Sequence, residues 1–291
     1  GVEINKQSAN ASKVLGRVLN SLADDFDMKL STLSGGLKDN AIPTDAEAVV
    51  IFSDTDTSGI NMPGHADISS NSVYSSLQDL ISKWNQIIRH EYTHTDPDIC
   101  ITLEPVDLPA ATMTDTSTHT VIDVLMTYPN GVRKMSKDIA GLVQTSLNLG
   151  ILSTIKPDGQ STNGIVSFKS SVRSSIGSEK DALLNSLKSL ATLAGGTLTV
   201  TGDYPAWEYR EDSPLRDLMV KIFKQQYGKE PVIQALHAGV ECGIFASKLP
   251  GLDCVSFGPD MDDIHTTNES MNVESVRRTW EYTLEILKEL K

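Results

Sequence analysis

Hydrophobic residues recur at the spacing of one helix face between residues 7 and 26, at Ala11, Val14, Leu15, Val18, Leu22 and Phe26. The alternation of Met28, Leu30 and Leu33 then predicts a strand, and Gly35-Gly36 predicts a turn toward a second strand over residues 46–52. A long apolar helix face follows over residues 73–88, and a further strand is predicted over residues 99–103. The predicted order is therefore helix, strand, strand, helix, strand.

The next region repeats this order. It predicts a helix around residues 121–126, strands over 147–154 and 165–173, a helix over 178–193 and a strand over 197–201. Two copies of a split βαββαβ-like unit would give this pattern, with the opening strand of the first copy missing. We therefore predict an α+β domain whose helices cover one side of its sheet.

A polar segment rich in Gly and Pro, residues 202–213, separates this region from the last part of the chain. Ser213 and Pro214 then predict the start of a helix, and Asn272 predicts the start of the final helix. Between them lie predicted strands at residues 232–235 and 254–257 and a helix after Glu241. This alternation predicts part of a layered α/β domain. The final helix should bury the stripe formed by Val276, Trp280, Leu284 and Leu287.

Composition narrows the class of protein. A chain of 291 residues with 39% hydrophobic and 22% charged residues is long enough for two globular domains. It has no apolar run of the roughly 20 residues that span a bilayer and no signal pattern in residues 1–20, so a cytoplasmic location without membrane contact is the default expectation. The net charge of −13 argues against nucleic acid as a partner. Cys100, Cys242 and Cys254 lack zinc-knot spacing and predict reduced, mostly buried thiols.

The most informative segment spans residues 237–269, where HAGVECGIFASKLPGLDCVSFGP precedes the loop sequence DDIHTTNES. Together with NAIP at 40–43, PNGV at 129–132, TSLNLG at 145–150 and the strand ending in Arg173, it resembles the aminoacyl-histidine dipeptidases. These are a carnosinase-like branch of the co-catalytic zinc aminopeptidases and carboxypeptidases. The resemblance implies a metallopeptidase that hydrolyses dipeptides of the Xaa-His type.

The resemblance also implies a domain organisation. Residues 1–202 correspond to the lid and dimerisation domain, and residues 203–291 to the C-terminal portion of the catalytic domain. In the family most zinc ligands and the catalytic glutamate lie in an amino-terminal segment, and this sequence begins too late to contain them. We therefore expect no general base in this chain, little activity from it alone, and weak or absent zinc, whereas the complete enzyme would hold two zinc ions. A homodimer through the lid is implied as well.

His265 is the candidate metal ligand, because it follows a predicted strand and matches a zinc-binding histidine of the family. The alternative is a surface histidine, and residues 260–263 depart from the family's usual loop.

Four residues are candidates for substrate binding: Asn40, Arg173, Gly239 and Glu241. By resemblance, Asn40 would reach the substrate or transition-state oxygen, and Arg173 would bind the free carboxylate of the dipeptide. Gly239 would bring its backbone to that carboxylate, while Glu241 would hold the substrate amine. Each has a plainer explanation: a turn former, an exposed strand residue, a turn glycine and a helix-start carboxylate, respectively.

Two other functions fit the same residues. One is a truncated, non-catalytic dimerisation or binding module, and the other is a related tripeptidase that shares the cleft. A metal motif of the HxD type preceding this sequence would favour the enzyme over the module.

Overall fold

A computed structural model describes residues 4–52, 72–155, 164–233, 241–264 and 267–291 of the chain. The chain forms two compact units. The first comprises residues 1–135, 143–174 and 178–200, and the second comprises residues 136–142, 175–177 and 201–291. In the described ranges, no helix has the length and apolar character needed to cross a membrane. The lid and catalytic roles assigned above to residues 1–202 and 203–291 stay predictions.

The first unit combines helices with one antiparallel sheet. Its helices are a short 3-10 helix Ile4–Lys6, α1 Ala11–Asp25, α2 Ser72–Glu91, α3 Asp115–Thr127 and α4 Gly177–Leu193. Its strands are β1 Met28–Gly35, β2 Ala46–Phe52, β3 Gly131–Met135, β4 Val143–Ile155 and β5 Ile165–Ser174. The predicted mixture of helices and strands is confirmed.

Strand β4 organises the sheet. β5 pairs along one side of β4, while β3 pairs with residues 143–147 and β1 with residues 152–153 on the other side. β2 extends the sheet beyond β1. Residues 143–150 of β4 are all buried. Any group that hydrogen-bonds to residues 143–150 is therefore held in place by a buried central strand.

Two asparagines complete β4 where β3 and β1 leave a gap. The Leu149 N–H donates to Asn130 Oδ1 at 2.8 Å, and Asn10 Nδ2 donates to the Leu149 carbonyl oxygen at 2.9 Å. Asn10 also caps α1 by accepting from the Lys13 N–H. Buried backbone groups need such partners. Asn130 in the PNGV sequence therefore has a structural function beyond forming a turn.

The helices of the first unit pack on one face of the sheet. The main core combines side chains from α1, α2, α3, β1 and β4: Val18, Leu19, Leu22, Met28, Leu30, Leu33, Val73, Leu77, Ile81, Ile122, Leu125, Leu149 and Leu152. A smaller cluster joins Leu147 to Leu183 and Leu187 of α4. A bulge between Leu30 and Thr32 shifts the strand by one residue, which allows both Leu30 and Leu33 to face the core.

Two predicted strands are wrong. Residues 99–103 and 197–201 contain no strand. The Ile101 N–H donates to Asn85 Oδ1 at 2.8 Å, and the Ile101 carbonyl accepts from Asn85 Nδ2 at 2.8 Å. The Asn85 side chain on α2 thus makes the two backbone hydrogen bonds that a neighbouring strand would otherwise make. The hydrophobic pattern alone does not distinguish these two environments.

The second unit is mainly helical where it is described. It contains α5 Pro214–Tyr227, α6 Glu241–Lys248, α7 Val273–Glu289 and a small pair of strands, β6 Met261–Asp262 and β7 Ser270–Met271. Its core is formed by Met219, Ile222, Tyr282 and Ile286. The predicted caps are confirmed, since Ser213 accepts from the Arg216 N–H at 3.2 Å and Asn272 accepts from the Ser275 N–H at 3.0 Å.

The predicted buried stripe of α7 is exposed. Trp280 is 62% exposed and Leu287 56% exposed, and Val276 and Leu284 are exposed too. The helix instead buries the adjacent stripe with Tyr282 and Ile286, because this stripe faces α5. Both stripes are apolar, so helical spacing alone does not decide which one is covered.

The predicted strand over residues 254–257 is also wrong. This segment has no ladder partner among the residues that are described, and the same holds for Val232 and Ile233. Residues 234–235, the rest of that predicted strand, lie outside the described ranges. An extended segment becomes a strand only when a neighbour pairs with it.

Candidate functional site

The structure describes three of the five predicted site residues. Asn40 and Arg173 belong to the first unit, and Glu241 belongs to the second. Gly239 and His265 lie outside the described residues, so their roles stay predictions. The structure therefore shows which contacts position Asn40 and Arg173 within the first unit.

Asn40 lies in the turn of residues 36–45, which connects β1 to β2. The turn begins at Gly36, whose φ of +68° favours glycine. A Cβ at this position would overlap the carbonyl oxygen of Gly150 on β4. Gly36 therefore permits both the turn's backbone conformation and its close approach to the central strand.

β4 also contacts the turn directly beside Asn40. A Cβ on Gly150 would lie 2.5 Å from Asp39 Cα, which only glycine avoids without displacement. Asn148 Nδ2 donates to the carbonyl oxygens of Asp39 at 3.1 Å and Ala41 at 2.7 Å. The backbone on both sides of Asn40 is thus fixed to β4, while Asn40 itself is exposed.

Arg173 lies on the same region of the sheet. It is half-buried on β5, directly opposite Ser146 of β4, and Ser171 is opposite Asn148 in the same ladder. Opposite residues of an antiparallel pair share a face, so Arg173 and Asn148 lie on one face as diagonal neighbours, about 7–8 Å apart. The helix-packed face carries Leu147 and Leu149 instead. The fold therefore places Arg173 beside the residue that holds the Asn40 turn.

A carboxylate anchors the end of this ladder. Glu179 in the first turn of α4 accepts from Gln144 Nε2 at 2.8 Å and Thr145 Oγ1 at 2.6 Å, and it forms an ion pair with Lys134. Burial raises the pKa of Glu179, but the hydrogen bonds from Lys134, Thr145 and Gln144 outweigh it and lower the pKa to about 2. Glu179 is therefore ionised at neutral pH and connects α4 to β3 and β4.

Glu241 is the exposed first residue of α6. A carboxylate there interacts favourably with the helix dipole. Contact with a substrate amine remains a prediction for this residue.

The chain on either side of His265 is fixed by paired segments. β6 pairs with β7, the Asp260 N–H donates to Ser275 Oγ at 2.9 Å, and Arg278 forms an ion pair with Asp260 at 3.0 Å. These contacts connect the segment that precedes β6 to the first turns of α7.

The metal prediction is not decided by the described residues, which contain no cluster of three or more His, Cys, Asp or Glu side chains able to hold an ion. The three cysteines are free, as predicted, but the prediction that they are mostly buried is wrong, because Cys100 is exposed and Cys242 and Cys254 are only partly buried. Burial, with Cys254 nearby, raises the pKa of the Cys242 thiol. That thiol is therefore protonated at neutral pH.

Comparison with known proteins identifies the family. Residues 25–289 match the sequence profile of peptidase family M20/M25/M40. The chain belongs to this peptidase family. The M20/M25/M40 chain is 32% identical over 290 residues to the cytosol non-specific dipeptidase of Escherichia coli (strain K12), covering 100% of this chain and 55% of that protein.

A solved structure shows the same architecture. The crystal structure of aminoacylhistidine dipeptidase from Vibrio alginolyticus matches with a TM-score of 0.84 at 29% identity, over 99% of this chain and 54% of that one. This M20/M25/M40 family chain thus spans about half the length of the relatives it matches. The family and the fold expected from the short sequence motifs are confirmed.

Sequence reasoning missed Asn148. The TSLNLG sequence contributes to the family resemblance but does not by itself predict a role for any of its residues. A signal was nevertheless present, because Ser146 and Asn148 alternate with Leu147 and Leu149 in a strand that is buried on both faces. Polar side chains at such positions require specific partners.

Proposed function

We propose that this chain supplies the lid and the C-terminal part of the catalytic domain of a zinc-dependent dipeptidase with preference for Xaa-His substrates. The observation that carries the proposal is the placement of Arg173 beside the Asn40 turn on β4, in a chain 32% identical to a dipeptidase. The name of the Escherichia coli relative also favours a cytosolic location.

In this proposal each candidate residue contacts a different part of the dipeptide. The Arg173 guanidinium binds the terminal carboxylate through two parallel hydrogen bonds, a geometry that lysine does not reproduce. The Asn40 amide donates to the oxygen of the scissile carbonyl, where negative charge develops during the reaction. Gly239 approaches the carboxylate with its backbone, and Glu241 accepts from the substrate amine. Together these contacts orient the substrate and exclude water.

His265 is the proposed metal ligand of this chain, with further ligands and the general base supplied from outside it. Two zinc ions bound there would polarise the scissile carbonyl and activate water. The exposed apolar side chains of α7 support a separate point, a contact of this helix with further polypeptide, because exposed apolar surface often marks such contacts.

We also propose a homodimer formed through the first unit. β2, β3 and β5 each have a ladder partner on one side only within the described sheet, so the proposed dimer would form along one of these three strand edges. Twofold pairing is the commonest form of association. Sedimentation at micromolar concentration should give a dimer, and a monomer would contradict this part of the proposal.

The test of function uses the full-length gene product, assayed with an Xaa-His dipeptide and with the same dipeptide amidated at its carboxyl end. Hydrolysis should require zinc and should fall strongly for the amide. Arg173→Ala should raise KM for the free dipeptide, because losing a buried bidentate contact costs about 2–5 kcal/mol. Lys169→Ala, an exposed cation on the same strand, is the matched control and should keep the parent KM.

The outcomes separate the alternatives. Absence of dipeptide hydrolysis at any zinc concentration would overturn the proposed dipeptidase activity and favour a dimerisation or binding module. Faster hydrolysis of tripeptides than of dipeptides would favour a tripeptidase. Equal KM values for Arg173→Ala and the parent protein would remove Arg173 from the site.

A further inference from the structure

We propose that Asn148 is a positioning residue that sets the orientation of Asn40 toward the substrate. This inference rests on the proposed function, in which Asn40 contacts the dipeptide. Asn148 does not itself touch substrate in this assignment. It acts through the backbone of the turn that carries Asn40.

Both amide hydrogens of Asn148 are directed at the turn that carries Asn40. Asn148 Nδ2 donates one to the Asp39 carbonyl at 3.1 Å and the other to the Ala41 carbonyl at 2.7 Å. These residues flank Asn40, so one side chain fixes the peptide group that joins Asp39 to Asn40 and the peptide group that follows Ala41. A shorter polar side chain such as serine carries one hydrogen and would fix only one of them.

The environment of Asn148 makes this geometry rigid. Asn148 is 5% exposed and lies in the buried half of β4, two residues before Gly150. Gly150 lets the Asp39 backbone approach the strand, and Gly36 starts the turn against the Gly150 carbonyl. Two residues of β4, Asn148 and Gly150, and the first residue of the turn, Gly36, thus hold one short segment in place. The same turn leaves Leu37 90% exposed.

Stability alone does not explain the choice of asparagine. Its Oδ1 atom is buried and has no hydrogen-bond partner among the residues that the structure describes, an arrangement that is rare in native proteins and costs free energy. The amide is therefore used for its two donors, and both of them serve the turn. A side chain selected only to fill the buried space at position 148 would not retain an unpaired carbonyl.

The test compares Asn148→Ala and Asn148→Asp with Gln144→Ala. Asn148→Asp keeps the volume but replaces the two donors with acceptors, which separates the loss of hydrogen bonds from the creation of a cavity. Gln144 is the matched control, because it is a buried amide on the same strand whose donor bond goes to Glu179 instead of the turn.

Hydrogen exchange gives a readout that needs no activity. The Gly36 and Ala41 amides donate within the turn, to Asp45 and Lys38 respectively. Both Asn148 variants should accelerate exchange of these amides about tenfold or more, whereas Gln144→Ala should leave it near the parent rate. Unchanged exchange in the turn of the Asn148 variants would overturn the proposal.

Kinetics of the full-length protein provide the second readout through a double-mutant cycle. If Asn148 acts through Asn40, the double variant Asn40→Ala/Asn148→Ala should hydrolyse dipeptide no more slowly than Asn40→Ala alone. Independent, multiplying losses would mean that Asn148 affects activity only through general stability, and would overturn the proposal. If the parent protein lacks dipeptidase activity, the proposed function fails, and the exchange experiment still decides whether Asn148 positions the turn.

Discussion

Replacing Glu179 with glutamine should destabilise the first unit in a manner that depends on pH. Glutamine keeps the shape of the side chain but removes the charge that pairs with Lys134, and its NH₂ group faces the Gln144 and Thr145 donors. The pKa of Glu179 falls from its ordinary value of 4.5 to about 2. This shift corresponds to about 3 kcal/mol of stabilisation before solvent screening, at about 1.4 kcal/mol per pKa unit.

Solvent screening reduces that value. The Glu179 side chain is 23% exposed and its partner Lys134 is 47% exposed. We therefore expect a loss of about 1–2 kcal/mol in the free energy of unfolding at pH 7. Because the folded-state pKa is lowered, the contribution is fully present above pH 4.5 and is lost as the pH falls toward 2.

Urea denaturation of the parent protein and Glu179→Gln between pH 7 and pH 2.5 measures this difference. The gap between the two proteins should be largest at pH 7 and should shrink below pH 4.5. Glu285→Gln, which removes an exposed pair with Lys288, is the control and should change stability by less than about 0.5 kcal/mol. Equal stability at pH 7, or a gap that does not change with pH, would refute the assigned role of Glu179.

Three further predictions concern a close backbone contact, a helix cap and the two apolar stripes of α7. Gly150→Ala should cost about 1–3 kcal/mol because its Cβ would meet the Asp39 backbone, while Gly177→Ala, with open space at its Cβ, should be near neutral in the same thermal melt. Asn272→Ala should lower stability by about 1 kcal/mol in urea through loss of the α7 cap, and no change would show that the cap is unimportant. Trp280→Ser should change stability by less than about 0.5 kcal/mol whereas Tyr282→Ala should cost about 3 kcal/mol; similar costs would show that the exposed stripe is buried.

The sequence identified the family and most helices because these depend on local signals. Ser213 and Asn272 cap helices through hydrogen bonds that close within three residues, and such bonds form whatever surrounds the helix. The motifs around Asn40 and Arg173 likewise indicated the family, since they are short and occur in order along the chain. For Gly239 and His265, the sequence supplies an expectation that the described residues do not test.

Only the tertiary structure decided which apolar surfaces and which extended segments find partners. The α7 helix has two apolar stripes, and Ile222 of α5 selects the one with Tyr282 and Ile286. The hydrophobic pattern of residues 99–103 predicts a strand. In the structure the Asn85 side chain, and not a neighbouring strand, forms hydrogen bonds with the Ile101 backbone.

The role of Asn148 likewise emerged from a contact between positions more than 100 residues apart along the chain, 109 to Asp39 and 107 to Ala41. Local patterns record the preferences of a segment, whereas burial and strand pairing depend on what a distant part of the chain places against it.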